Sequence, residues 1–389
     1  YVPSSLKEVI ITGGESIGSY AFSYCSSLTN VVIGDSVTSI GSYAFEDCTS
    51  LTSIYYKGTI GEWCNISFSN SNSNPMYYAD NFYMLDENNE YYLVTEIVIP
   101  ETVTSIGTYQ FYGFMNVKDI ILPNRVTSIG DYAFYDCTSL TSIVIPNRVR
   151  SIGDYAFSYC TSLTSIVIPE SVRSIGSSAF YNCTSLASIT IPFVGQYADG
   201  SGQAHFGYIF GASSYSDNDD YVPSSLKEVI ITGGESIGSS AFYNCTSLAS
   251  ITIPFVGQYA DGSGQAHFGY IFGASSYSDN DDYVPSSLKE VIITGGESIG
   301  SYAFSYCSSL TNVVIGDSVT SIGSYAFEDC TSLTSIYYKG TIGEWCNISF
   351  SNSNSNPMYY ADNFYMLDEN NEYYLVTEIV IPETVTSIG

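Results

Sequence analysis

The sequence predicts a solenoid, on three observations: long internal copies, a short tripeptide recurring inside them, and an alternating apolar pattern in each repeat. Residues 283–389 copy residues 1–107, and residues 236–301 copy residues 174–239, without a difference. Ser-Ile-Gly begins at residues 16, 39, 105, 128, 151, 174, 236, 298, 321 and 387, most often 23 residues apart. Units of this size cannot bury an apolar face alone and do so by stacking on their neighbours. Residues 1–389 are therefore expected to form a single solenoid segment. It opens without Met, stops in mid-repeat and lacks terminal caps, so it is expected to belong to a longer protein.

The stretch from Ser128 to Gly176 shows the unit most cleanly. Leu140, Ile143 and Ile145 alternate with Ser142 and Val144, which predicts a short strand ending at Pro146, a residue without an N–H for the ladder. Val149 and Ile152 continue the inward set around a bend at Gly153, with Ser151 placed to cap the turn that follows. Ala156 and Phe157 then enter a tight helical or 3₁₀ segment. Phe recurs at the sixth place after the Ser, at residues 22, 45, 111, 134, 157, 180, 242, 304 and 327, which predicts a stacked aromatic spine. Thirteen strands are expected, beginning near 28, 51, 94, 117, 140, 163, 186, 226, 248, 288, 310, 333 and 376.

Eight of the ten cysteines sit nine residues after that Ser, and Phe114 holds the same place in the unit beginning at Ser105. A place that accepts Phe is apolar, so these thiols are expected to be buried, with bridging between coils as the lesser alternative. No CxxC pair or nearby His supports zinc. Lys and Arg total 10 against 39 Asp and Glu, a net charge of -29, which disfavours nucleic acid and anionic membranes as partners. No apolar run is long enough to insert into a membrane.

The pattern Leu-x-x-Ile-x-Ile-Pro, followed by Val-x-Ser-Ile-Gly-x-x-Ala-Phe-x-x-Cys-x-Ser-Leu, resembles the 23-residue repeat of BspA-like leucine-rich-repeat proteins. The likeness covers all thirteen strand units. It implies an α/β-type repeat, a leucine-rich-repeat solenoid with short parallel strands on a concave face. Turns, 3₁₀ or short helices would form the convex side, with hairpin and loop insertions. The resemblance also implies a secreted or cell-surface location and adhesion to host matrix proteins, cells or other microbes. It carries no catalytic residues.

Insertions near 57–93, 193–225, 255–287 and 339–375 interrupt the repeat. In the first kind, Trp63 and Ile66 suit a helical turn, the Ser/Asn run reads as a solvated loop, and Asn81 to Leu93 as a hairpin. The second pairs Gly-rich turns with an aromatic segment, Phe206 to Phe210, read as a short strand. Trp63, Tyr77, Tyr78, Tyr208, Tyr270 and Trp345 either complete oversized coils or present a binding surface. His205 and its copy His267 lack a nucleophile or second ligand nearby, so an enzyme is not expected. Asp217-Asn-Asp-Asp220 clusters oxygens suited to Ca²⁺, yet its spacing matches no EF-hand loop, and no metal or cofactor is assigned. Asn65, Asn182, Asn244 and Asn347 lie in glycosylation sequons.

The outward strand row comprises Val32, Tyr55, Val98, Ile121, Val144, Val167, Thr190, Ile230, Thr252, Ile292, Val314 and Tyr337. It is either a contact stripe or plain β-propensity. Two functions are consistent with these features. One is an adhesin-like binding protein recognising host extracellular matrix or cell-surface proteins, or glycans. The other is a spacer that projects another domain from the cell surface, a role the large exact copies favour.

Overall fold

The computed structural model describes residues 3–383 and 385. The chain divides into two compact units, Tyr1–Leu186 with Ile209–Gly211, and Ala187–Tyr208 with Ala212–Gly389. Both are built from stacked coils joined edge to edge by backbone hydrogen bonds.

In the first unit, Glu8–Ile10, Asn30–Ile33, Ser53–Tyr56 and Asn81–Leu85 form a parallel ladder, and Tyr91–Leu93 returns antiparallel to close it. Glu96–Val98, Asp119–Ile121 and Ser142–Ile143 begin a second parallel ladder. A bridge from Val144 to Val167 continues it into Ser165–Val167. In the second unit seven parallel strands run from Ser188–Ile191 to Asn363–Leu367, and Tyr373–Leu375 closes them. The strands alternate as their sequence requires: Leu140, Ile143 and Ile145 are buried, while Ser142 and Val144 face out.

The Ser expected to cap the turn makes no side-chain hydrogen bond at Ser128, Ser151 or Ser174, where the Ser-Ile pair is strand instead. Ser128–Ile129, Ser151–Ile152 and Ser174–Ile175 form a second, two-residue parallel ladder, placing every Ile inside. A third set of inter-coil bonds follows at the Phe turn. Tyr132, Phe134 and Asp136 donate their N–H groups to the carbonyls of Asp154, Ala156 and Ser158, at 2.8 to 2.9 Å. The intervening Ala133, Tyr135 and Cys137 close turns on residues three back. This alternation puts Tyr132 and Asp136 at φ 55° and 61°, and the equivalent residues of the other coils are left-handed too. The core needs that conformation to bring each Phe into line. Phe111, Phe134, Phe157 and Phe180 stack 5.2 to 5.6 Å apart, with each ring wholly buried.

The cysteines line this spine as free thiols. Cys137, Cys160 and Cys183 each donate S–H to the Phe carbonyl of the coil before, at 3.2 to 3.3 Å. Burial raises their pKa values, that of Cys183 to about 12. The expected ladder of buried thiols is the arrangement found.

Four expectations need correction. Phe206–Phe210 is a 3₁₀ helix, because the insertion supplies the turn of a coil and not another strand. Phe180 donates to Ile209 O, and Phe206 to Ala241 O, as one turn segment does to the next elsewhere. The Ser/Asn run is not a solvated loop. Ser73 and Asn74 are buried, and Phe45 donates to Asn72 O, so this insertion likewise fills a turn of the stack. A strand that was not expected forms at Glu8–Ile10. The strand expected near 376 is missing, and residues 376–383 pair with nothing in a ladder. Their copy, Glu96–Val98, pairs with Asp119–Ile121, and that partner has no second copy in the 389 residues.

Replacing Phe157 with Ala should cost about 3–5 kcal/mol, because it opens a cavity between two stacked rings. Urea unfolding checks this, and an unchanged midpoint would contradict the stacked core. Alkylation of the native protein at pH 8 should spare the eight buried thiols and favour half-buried Cys346, as read by peptide mass spectrometry.

Candidate protein-interaction surface

The strand face carries the candidate surface. Its outward row lies in register, with side chains about 4.8 Å from rung to rung. Val98, Ile121, Val144 and Val167 occupy adjoining rungs of the first unit and are all exposed, Val144 at 81%. Beside them run Glu96, Asp119, Ser142 and Ser165, also exposed. The result is an apolar stripe bordered by carboxylates and hydroxyls, able to take up an apolar ridge of a partner and hydrogen-bond its margin.

The rest of the row differs. Val32, Thr252 and Val314 are buried, at 8%, 7% and 5% exposure. Each is flanked in register by two larger side chains: Ile10 and Tyr55, Ile230 and Ile292, and Ile292 and Tyr337. Thr190, Tyr55, Ile230, Ile292 and Tyr337 are half-buried. In the second unit the polar row is partly satisfied internally, since Ser188 and Ser250 donate to the carboxylates of Glu228 and Glu290. The exposed stripe is therefore four rungs of the first unit and not the whole row.

The insertion residues separate into core and surface. Trp63 is wholly buried among Tyr56, Phe68, Phe82 and Phe114, and its indole N–H donates to Gln110 O at 2.8 Å. This removes it from the binding surface expected of it, because its ring fills the coil that the insertion enlarges. Its copy Trp345 is half-buried against Tyr338 and Phe364. Tyr78 is held by its hydroxyl, which accepts from Asp47 N–H and from the Asn72 amide, whereas Tyr77 is exposed and stacks on Tyr112. Tyr208 and Tyr270 are half-buried, edge-on to His205 and His267.

Two groups of tyrosines escaped the sequence reading. Tyr83 stacks on Tyr55 at 4.8 Å and Tyr91 meets it edge-on, extending the strand face over the hairpin. The alternation of Asn81–Leu85, with Phe82 and Met84 inward, is the signal that places Tyr83 outward. Tyr109, Tyr132 and Tyr155 stack along the turn face, and their signal is a Tyr recurring at the fifth place of the unit counted from its Ser.

Asn218 explains the Asp-rich segment. It is buried, accepts from Gly207 N–H, and donates to the Ala241 and Tyr243 carbonyls, pinning the insertion to the next coil. Asp217 accepts from Ser213 and Ser216 within its own loop. Among the described residues no group of three or more His, Cys, Asp or Glu is placed to hold a metal. A groove of about 780 Å³ borders the second copy of this insertion, between Tyr259, Asp261 and Glu297. No described helix is long and apolar enough to cross a membrane.

The stacked parallel coils define the class: this is a leucine-rich-repeat protein. The family model for BspA type leucine-rich-repeat regions matches residues 2–89, 87–198, 218–260 and 283–389, so the chain belongs to that family. Solved structures similar to it include a leucine-rich-repeat protein from Bacteroides ovatus, 24% identical over 93% of this chain and 84% of that one, with a TM-score of 0.43. A leucine-rich cell surface protein from Faecalibacterium prausnitzii is 26% identical over 88% and 90%, at 0.37. The pneumococcal vaccine antigen PcpA is 17% identical over 79% and 76%, at 0.39. No curated protein matches the chain.

His205 and His267 are buried, and Nε2 of each has no polar partner. Burial holds both below the usual histidine pKa, so both are neutral in the fold at neutral pH. Below about pH 6.5 the unfolded chain binds protons that the folded chain refuses, and stability falls as pH drops towards the folded values. The urea midpoint should therefore fall between pH 7.5 and 5.5. The fall should shrink in a His205→Gln, His267→Gln variant; an equal fall in both proteins would assign it to other groups.

Proposed function

We propose that this chain is a cell-surface or secreted, adhesin-like binding protein that docks a partner protein on its exposed strand stripe. The observation that carries this reading is the row Val98, Ile121, Val144 and Val167. Four aliphatic side chains stand in register on the outer face of a ladder whose own core is already filled. Leaving such a row in water has no stabilising role in the fold, and burial against a partner recovers about 25 cal/mol per Å² of apolar surface. Membership of the BspA-type family supports the interaction role, and the similarity to a protein described as a cell-surface protein supports the location. The chemistry is recognition and not turnover. Each histidine shares a buried Asn neighbour with a core thiol, His205 with Cys245 through Asn218 and His267 with Cys307 through Asn280, and burial holds those thiols protonated.

The test is binding of the immobilised chain to a panel of host matrix and cell-surface proteins. Saturable binding is expected for at least one of them. Val144→Lys with Val167→Lys should weaken it at least tenfold while leaving the thermal unfolding temperature within a few degrees, because both side chains are exposed. Binding that ignores these substitutions would remove the stripe from the interface, and a blank panel would favour the spacer.

A further inference from the structure

The chain holds four arginines, Arg125, Arg148, Arg150 and Arg173, and all four fall in residues 108–173, the segment outside both large duplications. The fold gathers them at one corner of the first unit, between the strand ladder and the Ser-Ile ladder. Arg150 and Arg173 occupy the same place in successive coils: Arg150 N donates to Thr127 O, and Arg173 N donates to Arg150 O. Arg125 and Arg148 stand one coil apart in the place two residues earlier. Rows lie about 4.8 Å apart and columns about 6.6 Å apart. All four side chains are exposed.

Their guanidinium groups have found no carboxylate, in a chain with 39 acidic residues. Among the described residues none of the four makes an ion pair. Arg150 Nη1 reaches across to Ser171 O at 3.4 Å, and Arg173 Nη1 to Glu170 O at 2.6 Å, so both converge on one turn. The neighbouring acids Asp131 and Asp154 are tied up accepting from the backbone N–H groups of the next coil. Like charges on adjoining rungs repel, and elsewhere these two places hold Glu, Thr, Ser or Gly. Arg150 and Arg173 spend donors on that turn, while the Arg125 and Arg148 guanidinium groups make no hydrogen bond in the fold, so the corner keeps uncompensated positive charge.

We propose that this corner docks a short run of a sulfated, uronate-bearing polysaccharide, one site per chain. Guanidinium forks pair tetrahedral oxyanions and carboxylates in two-point contacts, and such a glycan presents both. Its charges are spaced along sugar rings. A nucleic acid carries a charge about every 1.7 Å of duplex axis and needs a longer basic face than these four arginines supply in a chain of net charge -29. The site lies apart from the apolar stripe, so the two fail independently.

The test is calorimetric titration of the full chain with a heparin-derived sulfated hexasaccharide at low and high salt. Binding is expected with about one hexasaccharide per chain, weakening as salt rises. Arg125→Gln with Arg148→Gln should reduce affinity at least tenfold, and the fourfold Gln variant should abolish it. The first pair makes no hydrogen bond in the fold, so it keeps the test valid if the fourfold variant unfolds. Val144→Lys with Val167→Lys should not weaken this binding. No binding, two sites per chain, or binding unchanged by the Gln variants would overturn the proposal. Equal binding of the desulfated sugar, or tighter binding of a single-stranded oligonucleotide or a phosphopeptide of matched charge, would overturn it too.

Discussion

The coils of this protein depend on their neighbours for much of their backbone hydrogen bonding. In the turn segment alternate N–H groups close local turns, and those between them reach the next coil. The strand ladder and the Ser-Ile ladder repeat that dependence on two further sides. Only when all three are in register do the Phe rings stack and the Cys thiols reach the carbonyls that accept from them. A single coil has an apolar interior too thin to offset its conformational entropy, so order arrives with the neighbour.

Burial in this fold comes from the neighbouring coil as much as from the residue's own segment. Ile97 is buried where its strand pairs in register with Ile120 of the following coil. Trp63 is sealed by the coil that supplies Gln110, 47 residues further along the chain.

The same regularity makes surfaces. Because each place in the repeat recurs at a fixed pitch, a residue type retained over several coils becomes a row. Four aliphatic residues make the exposed stripe, a Tyr row decorates the turn face, and the arginines make a corner. Insertions interrupt the period yet obey the stacking rule, since Asn72 and Ile209 take the place that Ala holds in an ordinary turn. The outward residues can therefore change while the inward set that holds the stack stays constant.

The sequence by itself determined the solenoid, its repeat, the inward set of Leu, Ile, Val and Phe, the buried thiols and the hairpin, because each follows from a periodicity that local sterics enforce. It also located the strand face. What only the tertiary structure decided was which outward residues meet solvent. Val32 and Val144 hold equivalent places in the repeat, and flanking side chains cover one and leave the other open. Nor did the sequence show that Phe206–Phe210 and the Ser/Asn run serve as turns of the stack. Their hydrogen bonds go to residues dozens of positions away, and no local pattern records a partner that is brought near only by the winding of the coils.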